Sequence, residues 1–398
     1  MPAAVRRNLA IVGAVCGLVG LAGWAFYAML FHATLGQDWM VFHTAARAYL
    51  DGELPLIFDA ERFTALLNAR YADWIGGALS LHPWIYPPSF LLMLLPFGLV
   101  SFAAGYALFL ALGFAAALAA TWHAAGKGRG WLHLGTLLLC PAAPFTVFVG
   151  QNAFLTSALL VGGMSLLSAS PVLGGALLGV AAYKPQFWLM VPVALVAARQ
   201  WRALASAFAS AALLALLALA VFGVDAWRAW IDVATGASDF YQSWVVAGRL
   251  KGMSVYACAV LLGAPAAWAS IAQGTAMVAA AAAVFWCYSR PLRGELRLAA
   301  LLAATVLAAP HVSNSDALLL GIAATLLLSV ALDDGFRPGE AIIIPMLWAS
   351  PLLNPPSLFI IGALTPALTG IFIAGVIARG RDAERARSPG AALGLAPR

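Results

Sequence analysis

Asp38 is the residue whose place in this chain most asks for a chemical reason. It stands in GQDWMVFHTAARAYLDG (residues 36–52), directly after an apolar run, and a charge at a membrane edge is costly to hold. It could cap the helix that follows, as Asp commonly does. It could also act as a general base that deprotonates an acceptor hydroxyl, since partial burial raises a carboxyl pKa toward working pH. The two roles are compatible. Lys184, one of three lysines in the chain, sits in AAYKPQFWLM (181–190) between apolar runs. A lysine there can snorkel, or it can hold a phosphate. Arg249 and Lys251 in AGRLKGMSVYA are further cations outside the main basic clusters, and a lipid phosphate would give them a purpose.

Polar side chains that suit a sugar or its acceptor gather at three other points. Tyr86 lies in HPWIYPPSFLLMLLP (82–96), where Pro87 and Pro88 fix the angle at which the chain re-enters the membrane. Entry geometry and the aromatic belt account for that stretch on their own, although Tyr86 could also face a substrate. Gln151 and Asn152 in GQNAFL (150–155) offer the donors and acceptors that sugar hydroxyls need, and Gln186 follows Lys184 closely. In AAPHVSNSDALLL (308–320), Ser315 or Asp316 can start a helix, but capping does not explain His311 or Asn314. The acidic residues form no cluster of metal ligands, and the cysteines lie singly in apolar segments. No metal or other cofactor is expected.

The elements that must position these groups are membrane helices. Of 398 residues, 63% are hydrophobic and 10% charged. Mean hydropathy is +0.91, which a water-soluble surface cannot supply. The net charge of +6 speaks to topology, and no basic face with stacking aromatics suggests nucleic acid. Arginine-rich punctuation near residues 6–7, 123–130, 198–202, 289–297, 333–340 and 378–390 predicts about twelve crossings with both ends in the cytoplasm. The apolar run at 9–30 is too long for a cleavable signal and reads as a first span.

The loop at 32–85 carries six of the sixteen acidic residues. Trp39, Phe42, Ala46 and Tyr49 recur at helical spacing, which predicts an amphipathic helix at 38–50 lying along the interface. A second such piece is expected around 59–74. Residues 86–122 hold two helical stretches where charge bias asks for an odd number of crossings, so one should be short or re-entrant. Residues 1–380 read as a single membrane domain, and 381–398 as a basic disordered tail.

Taken together, YPP after an acidic first loop, GQNAFL before PVLGGALLGVAAYKPQ, and ARQWRAL resemble bacterial glycosyltransferase family 87. The likeness runs from about residue 36 to 205, with APHVSNSD agreeing further on. It implies an all-α polytopic fold of GT-C type and a polyprenyl-phosphate sugar as donor. The expected reaction is hexose transfer, with mannose favoured by analogy, to a hydroxyl of a lipid or glycan. The expected setting is the periplasmic side of a bacterial inner membrane. It further implies Asp38 as the catalytic carboxylate and His311 as the late-loop histidine. Lys184, Arg249 and Lys251 would meet the donor phosphate. Tyr86, Gln151, Asn152, Gln186, His311 and Asn314 would meet sugar or acceptor. The rival classes are a transporter or flippase of lipid-linked sugars and a non-catalytic binder. A transporter would place ionisable groups near the bilayer centre, whereas here they crowd at helix ends.

Overall fold

The computed structural model describes residues 34–75, 78–79, 81–125, 128–246, 252–353 and 364–387, with Leu18 and Ala22. The side chains of 237–246 are not among those described. The expected first span at 9–30, Arg249, Lys251 and the end of the tail lie outside these residues. Among the described residues every regular element is helical. The longer ones are α1 (Gln37–Leu50), α2 (Ala60–Arg70), α3 (Pro88–Gly98), α4 (Phe102–Ala124), α5 (Gly130–Leu139), α6 (Ala142–Val149), α7 (Ala153–Leu166) and α8 (Pro171–Val180). After these come α9 (Met190–Ala197), α10 (Trp201–Val246), α11 (Val255–Leu261), α12 (Ala266–Tyr288), α13 (Gly294–Ala308), α14 (Leu318–Asp334), α15 (Glu340–Trp348) and α16 (Leu364–Arg387).

Among the described residues three helices are long and apolar enough to cross a bilayer: α4, the Trp201–Gly236 part of α10, which is kinked at Gly223 (φ 77°, ψ 172°), and α12. A fourth is added if α5 and α6, bent by 52°, count as one broken span. The others are shorter or, like the 24-residue α16 with its charged second half, less apolar, so among the described residues length and composition alone account for fewer crossings than the twelve expected. The long helices form the outside of the bundle, where Leu108, Leu112, Leu213, Leu216, Trp268 and Val278 are exposed. The inside is the pair α13 and α14, whose residues from Leu298 to Ala304 and from Leu318 to Leu327 are all buried. In a membrane this inversion is expected, because lipid tails take the place of a protein core around the outer helices.

The ambiguous stretch at 86–122 resolves into one short and one full helix. α3 has 11 residues, about 16 Å of rise, roughly half of a bilayer core, whereas α4 has 23. Pro87 and Pro88 start α3 in the manner the sequence suggested. The interfacial placement of 38–50 needs correction. The helix forms, but Trp39 to Ala46 are buried without a break, so α1 lies inside the protein and not along its surface. Small residues allow this: a Cβ on Gly98 of α3 would fall 2.9 Å from Ala46 Cβ, and one on Gly105 of α4 2.8 Å from the Trp39 ring. The second loop helix, α2, is capped by Asp59, whose side chain accepts from Arg62 N at 3.0 Å. At the other end, α16 continues to Arg387, past the boundary expected for a disordered tail. Pairing of Arg290 with Glu384 and of Arg337 with Asp382 holds that last stretch in place.

Candidate active site

Asp38 enters the site because of how α1 begins. The N-cap is Gly36 at φ 74°, and no side chain caps the helix, so the capping role does not apply to Asp38. Gly36 N donates to Phe148 O at 2.8 Å, and Trp39 Nε1 to Phe102 O at 3.1 Å. Tyr106 OH donates to the carbonyls of Val147 and Phe148. These bonds tie the start of α1 to the first turns of α4 and to the end of α6, which closes on Gly150 at φ 76°. Only glycine serves at 150. The left-handed backbone favours it, and a Cβ there would overlap Trp39 Cβ and lie 2.6 Å from Tyr106 Cε2. That close approach brings Gln151 against Asp38.

From Asp38 a single file of hydrogen bonds runs inward across breaks between helices. Gln151 Nε2 donates to Asp38 Oδ2 at 2.8 Å, and Tyr86 OH donates to Gln151 Oε1 at 3.1 Å. Asn152 Nδ2 donates to Tyr86 OH at 3.1 Å, and Lys184 Nζ to Asn152 Oδ1 at 3.2 Å. Lys184 also pairs with Asp316 Oδ1 at 2.5 Å, both side chains being almost fully enclosed. Asp316 Oδ2 in turn accepts from Ser313 N and Oγ, each at 2.9 Å. The contributing segments are the α6–α7 turn, the entry to α3, the break between α8 and α9, and the break between α13 and α14. Each break frees backbone and side chains from the helical ladder, which is tolerated in a membrane where protein covers them. Aromatic rings pack along the file: Phe90 stacks on Tyr183 at 4.7 Å between centroids and meets Tyr86 at the same distance.

The bonding capacity of each member decides what remains for a ligand. Gln151 Oε1 accepts from both Tyr86 OH and Asn152 N, so the residue keeps one spare N–H. Asn152 keeps one N–H as well. The Tyr86 hydroxyl has committed its one O–H donor to Gln151 Oε1. Asp38 is half-buried, and its Oδ1 makes no hydrogen bond among the described residues. Burial pushes its carboxyl above the usual carboxylate range, while His82, the Gln151 bond and Lys184 pull the other way and Asp316 adds to the rise. Burial pushes the His311 ring down to about 4, which leaves it neutral at ordinary pH. Asp316 and Lys184 act on His311 in opposite senses.

Lys184 departs from the sequence expectation. Its ammonium donates to Asn152 and Asp316 and lies 4.6 Å above the centre of the Phe187 ring, so its donors are already engaged. It is an internal counter-charge here and not a free phosphate ligand. Gln186 is half-buried and takes no part in the file, while Asn314 is buried in the α13–α14 break beside Ser313 and Ser315. Asp316 was read from sequence only as a helix start. A lone lysine enclosed by apolar runs needs a carboxylate partner, and that requirement was the signal available for it.

A bundle with helix breaks that converge on buried amides, one internal ion pair and one half-open carboxylate belongs to a membrane protein with a polar site built into its helices. The chain belongs to glycosyltransferase family 87, whose family model matches residues 84–310, more than half of its length. It is therefore a membrane glycosyltransferase. No curated protein and no solved structure matches the chain. The family match includes Tyr86, Gln151, Asn152 and Lys184. Asp38 and Asp316 lie outside it and are joined to it by the hydrogen-bonded file.

Proposed function

We propose that this glycosyltransferase moves a hexose, mannose in the first instance, from a polyprenyl-phosphate donor to a hydroxyl of a lipid or glycan acceptor. The setting is the periplasmic side of a bacterial inner membrane, within a GT-C-type bundle of about twelve crossings. Asp38 Oδ1 takes the proton of the acceptor hydroxyl. The freed oxygen bonds to the anomeric carbon as the bond from that carbon to the phosphate oxygen breaks. Attack from the face opposite the leaving group inverts the configuration, and polyprenyl phosphate departs. Arg249 and Lys251 are the cations assigned to that phosphate. The spare N–H groups of Gln151 and Asn152, with Gln186, Asn314 and neutral His311, are assigned to sugar and acceptor hydroxyls.

The observation that carries this reading is the state of Asp38: half-buried, oriented through Oδ2 by Gln151, and with Oδ1 unengaged among the described residues. A base is useful when it is both held and basic, and burial supplies the second condition. The test is transfer from a panel of radiolabelled polyprenyl-phosphate sugars by purified enzyme, with mass spectrometry of the lipid products. Asp38→Asn, nearly isosteric, should express normally and transfer nothing; near-normal transfer by that variant removes the base from the mechanism.

A further inference from the structure

Every bond in the file from Lys184 to Asp38 points the same way. Lys184 donates to Asn152, Asn152 to Tyr86, Tyr86 to Gln151, and Gln151 to Asp38. The roles are fixed by chemistry at both ends, because an ammonium can only donate and a carboxylate can only accept. Each intervening group is a donor at one end and an acceptor at the other, so a change in charge at Lys184 polarises the whole line. Asp316 closes the far end, and its own second oxygen is held by Ser313. An enclosed ion pair at this cost contributes little stability by itself, which leaves its placement to be explained.

We propose that Lys184 and Asp316 form a remote counter-charge that sets the basicity of Asp38 through this line of hydrogen bonds. Asp316 is then a positioning residue that touches neither sugar nor phosphate. Lys184 draws proton affinity away from Asp38, and Asp316 returns part of it. The other ionisable groups facing Asp38 are His82 from the segment before α3, Tyr86 beside it, and Tyr106 of α4. His311, from the α13–α14 break, faces the pair. Of these, His311 and Tyr86 also feel the pair: Asp316 acts on both, and Lys184 acts on His311 in the opposite sense. The inference deepens the base assignment for Asp38 and rests on it for its meaning, but it can be measured without any substrate.

The measurement is an infrared pH titration of the purified full-length protein in detergent. The protonated-carboxyl band that disappears in Asp38→Asn reports Asp38. Lys184→Met should raise the midpoint of that band and Asp316→Asn should lower it, each by roughly half a pH unit or more. The double variant Lys184→Met/Asp316→Asn should return near the wild-type midpoint. Opposed shifts from two members of one ion pair are not what general loosening of the structure produces. Should either single variant fail to fold, the double variant and Tyr86→Phe carry the test, because they leave no charge unpaired. Tyr86→Phe removes the donor that polarises Gln151 and should raise the midpoint. Shifts in the same direction, or an unmoved midpoint in Tyr86→Phe, would overturn the proposal. Inactivity of Asp38→Asn together with unmoved midpoints would sink the counter-charge and leave the base standing.

Discussion

Two polar regions hold this bundle together, and they are built on opposite plans. At the Asp38 end the polar groups form a narrow file from carboxylate to carboxylate, doubled only where Asn152 reaches Gln151 both through Tyr86 and through its own backbone N–H. At the arginine-rich end they form a mesh. Arg293 reaches Glu295, Asp333 and Asp334, and Arg129 shares Asp333 while bonding Ser329 O. Arg337 pairs with Asp382 and Arg290 with Glu384. Most of these side chains are a fifth to a half exposed, and several have alternative partners. The mesh contains one enclosed member: Arg379 clasps both oxygens of Glu340 at 2.8 Å and donates to Gly335 O at 2.7 Å. Redundancy suits a region whose task is to keep helix ends together. A narrow file with few partners at each step suits a region where one group must be held in one state.

The comparison is broken or sharpened by what each kind of loss does. The largest effect belongs to Asp38→Asn, with transfer reduced by about 10²- to 10⁴-fold or more at unchanged folding, read by radiolabelled product. Next comes Arg379→Ala. It leaves Glu340 enclosed and unpaired, and should destabilise by about 3–5 kcal/mol in a thermal or denaturant unfolding series. Its specific activity per folded molecule should stay near normal. A large fall in that activity would show that the mesh reaches the site.

The pH profile of kcat/KM should have an acid limb above the usual carboxylate range. Asp38 is competent only when deprotonated, and burial raises the pH at which it loses its proton. As pH falls through that point activity falls with it, approaching tenfold per unit. A limb at the ordinary carboxylate position would show a more solvated Asp38 than described. The smallest effect is expected from Arg337→Ala, which breaks an exposed pair worth about 0–1 kcal/mol and should leave kcat and KM unchanged.

Much of the site was legible because its residue types are rare in such a chain. An acid beginning a loop helix, a lone lysine, a pair of amides after a glycine and a histidine between spans each stood out against apolar surroundings. The sequence also carried, through charge bias, the expectation that one of the two helices in 86–122 is short or re-entrant, without saying which. Hidden from it was the partnership of Lys184 and Asp316, which are 132 positions apart and meet only when two helix breaks face each other. The burial of α1 was hidden for a related reason. Its aromatic spacing reads as one apolar face, and only the glycines of α3 and α4 show that neighbours approach from the other sides. Residues that act by being small leave no trace in a hydropathy profile.

Those glycines reverse the logic of an ordinary scan. Gly98, Gly105 and Gly150 surround the helix that carries the carboxylate with surfaces that have nothing on them. One extra methyl at any of the three would displace that helix as surely as a deletion removes a functional group. Between them, three hydrogen atoms fix where the proton-accepting oxygen sits.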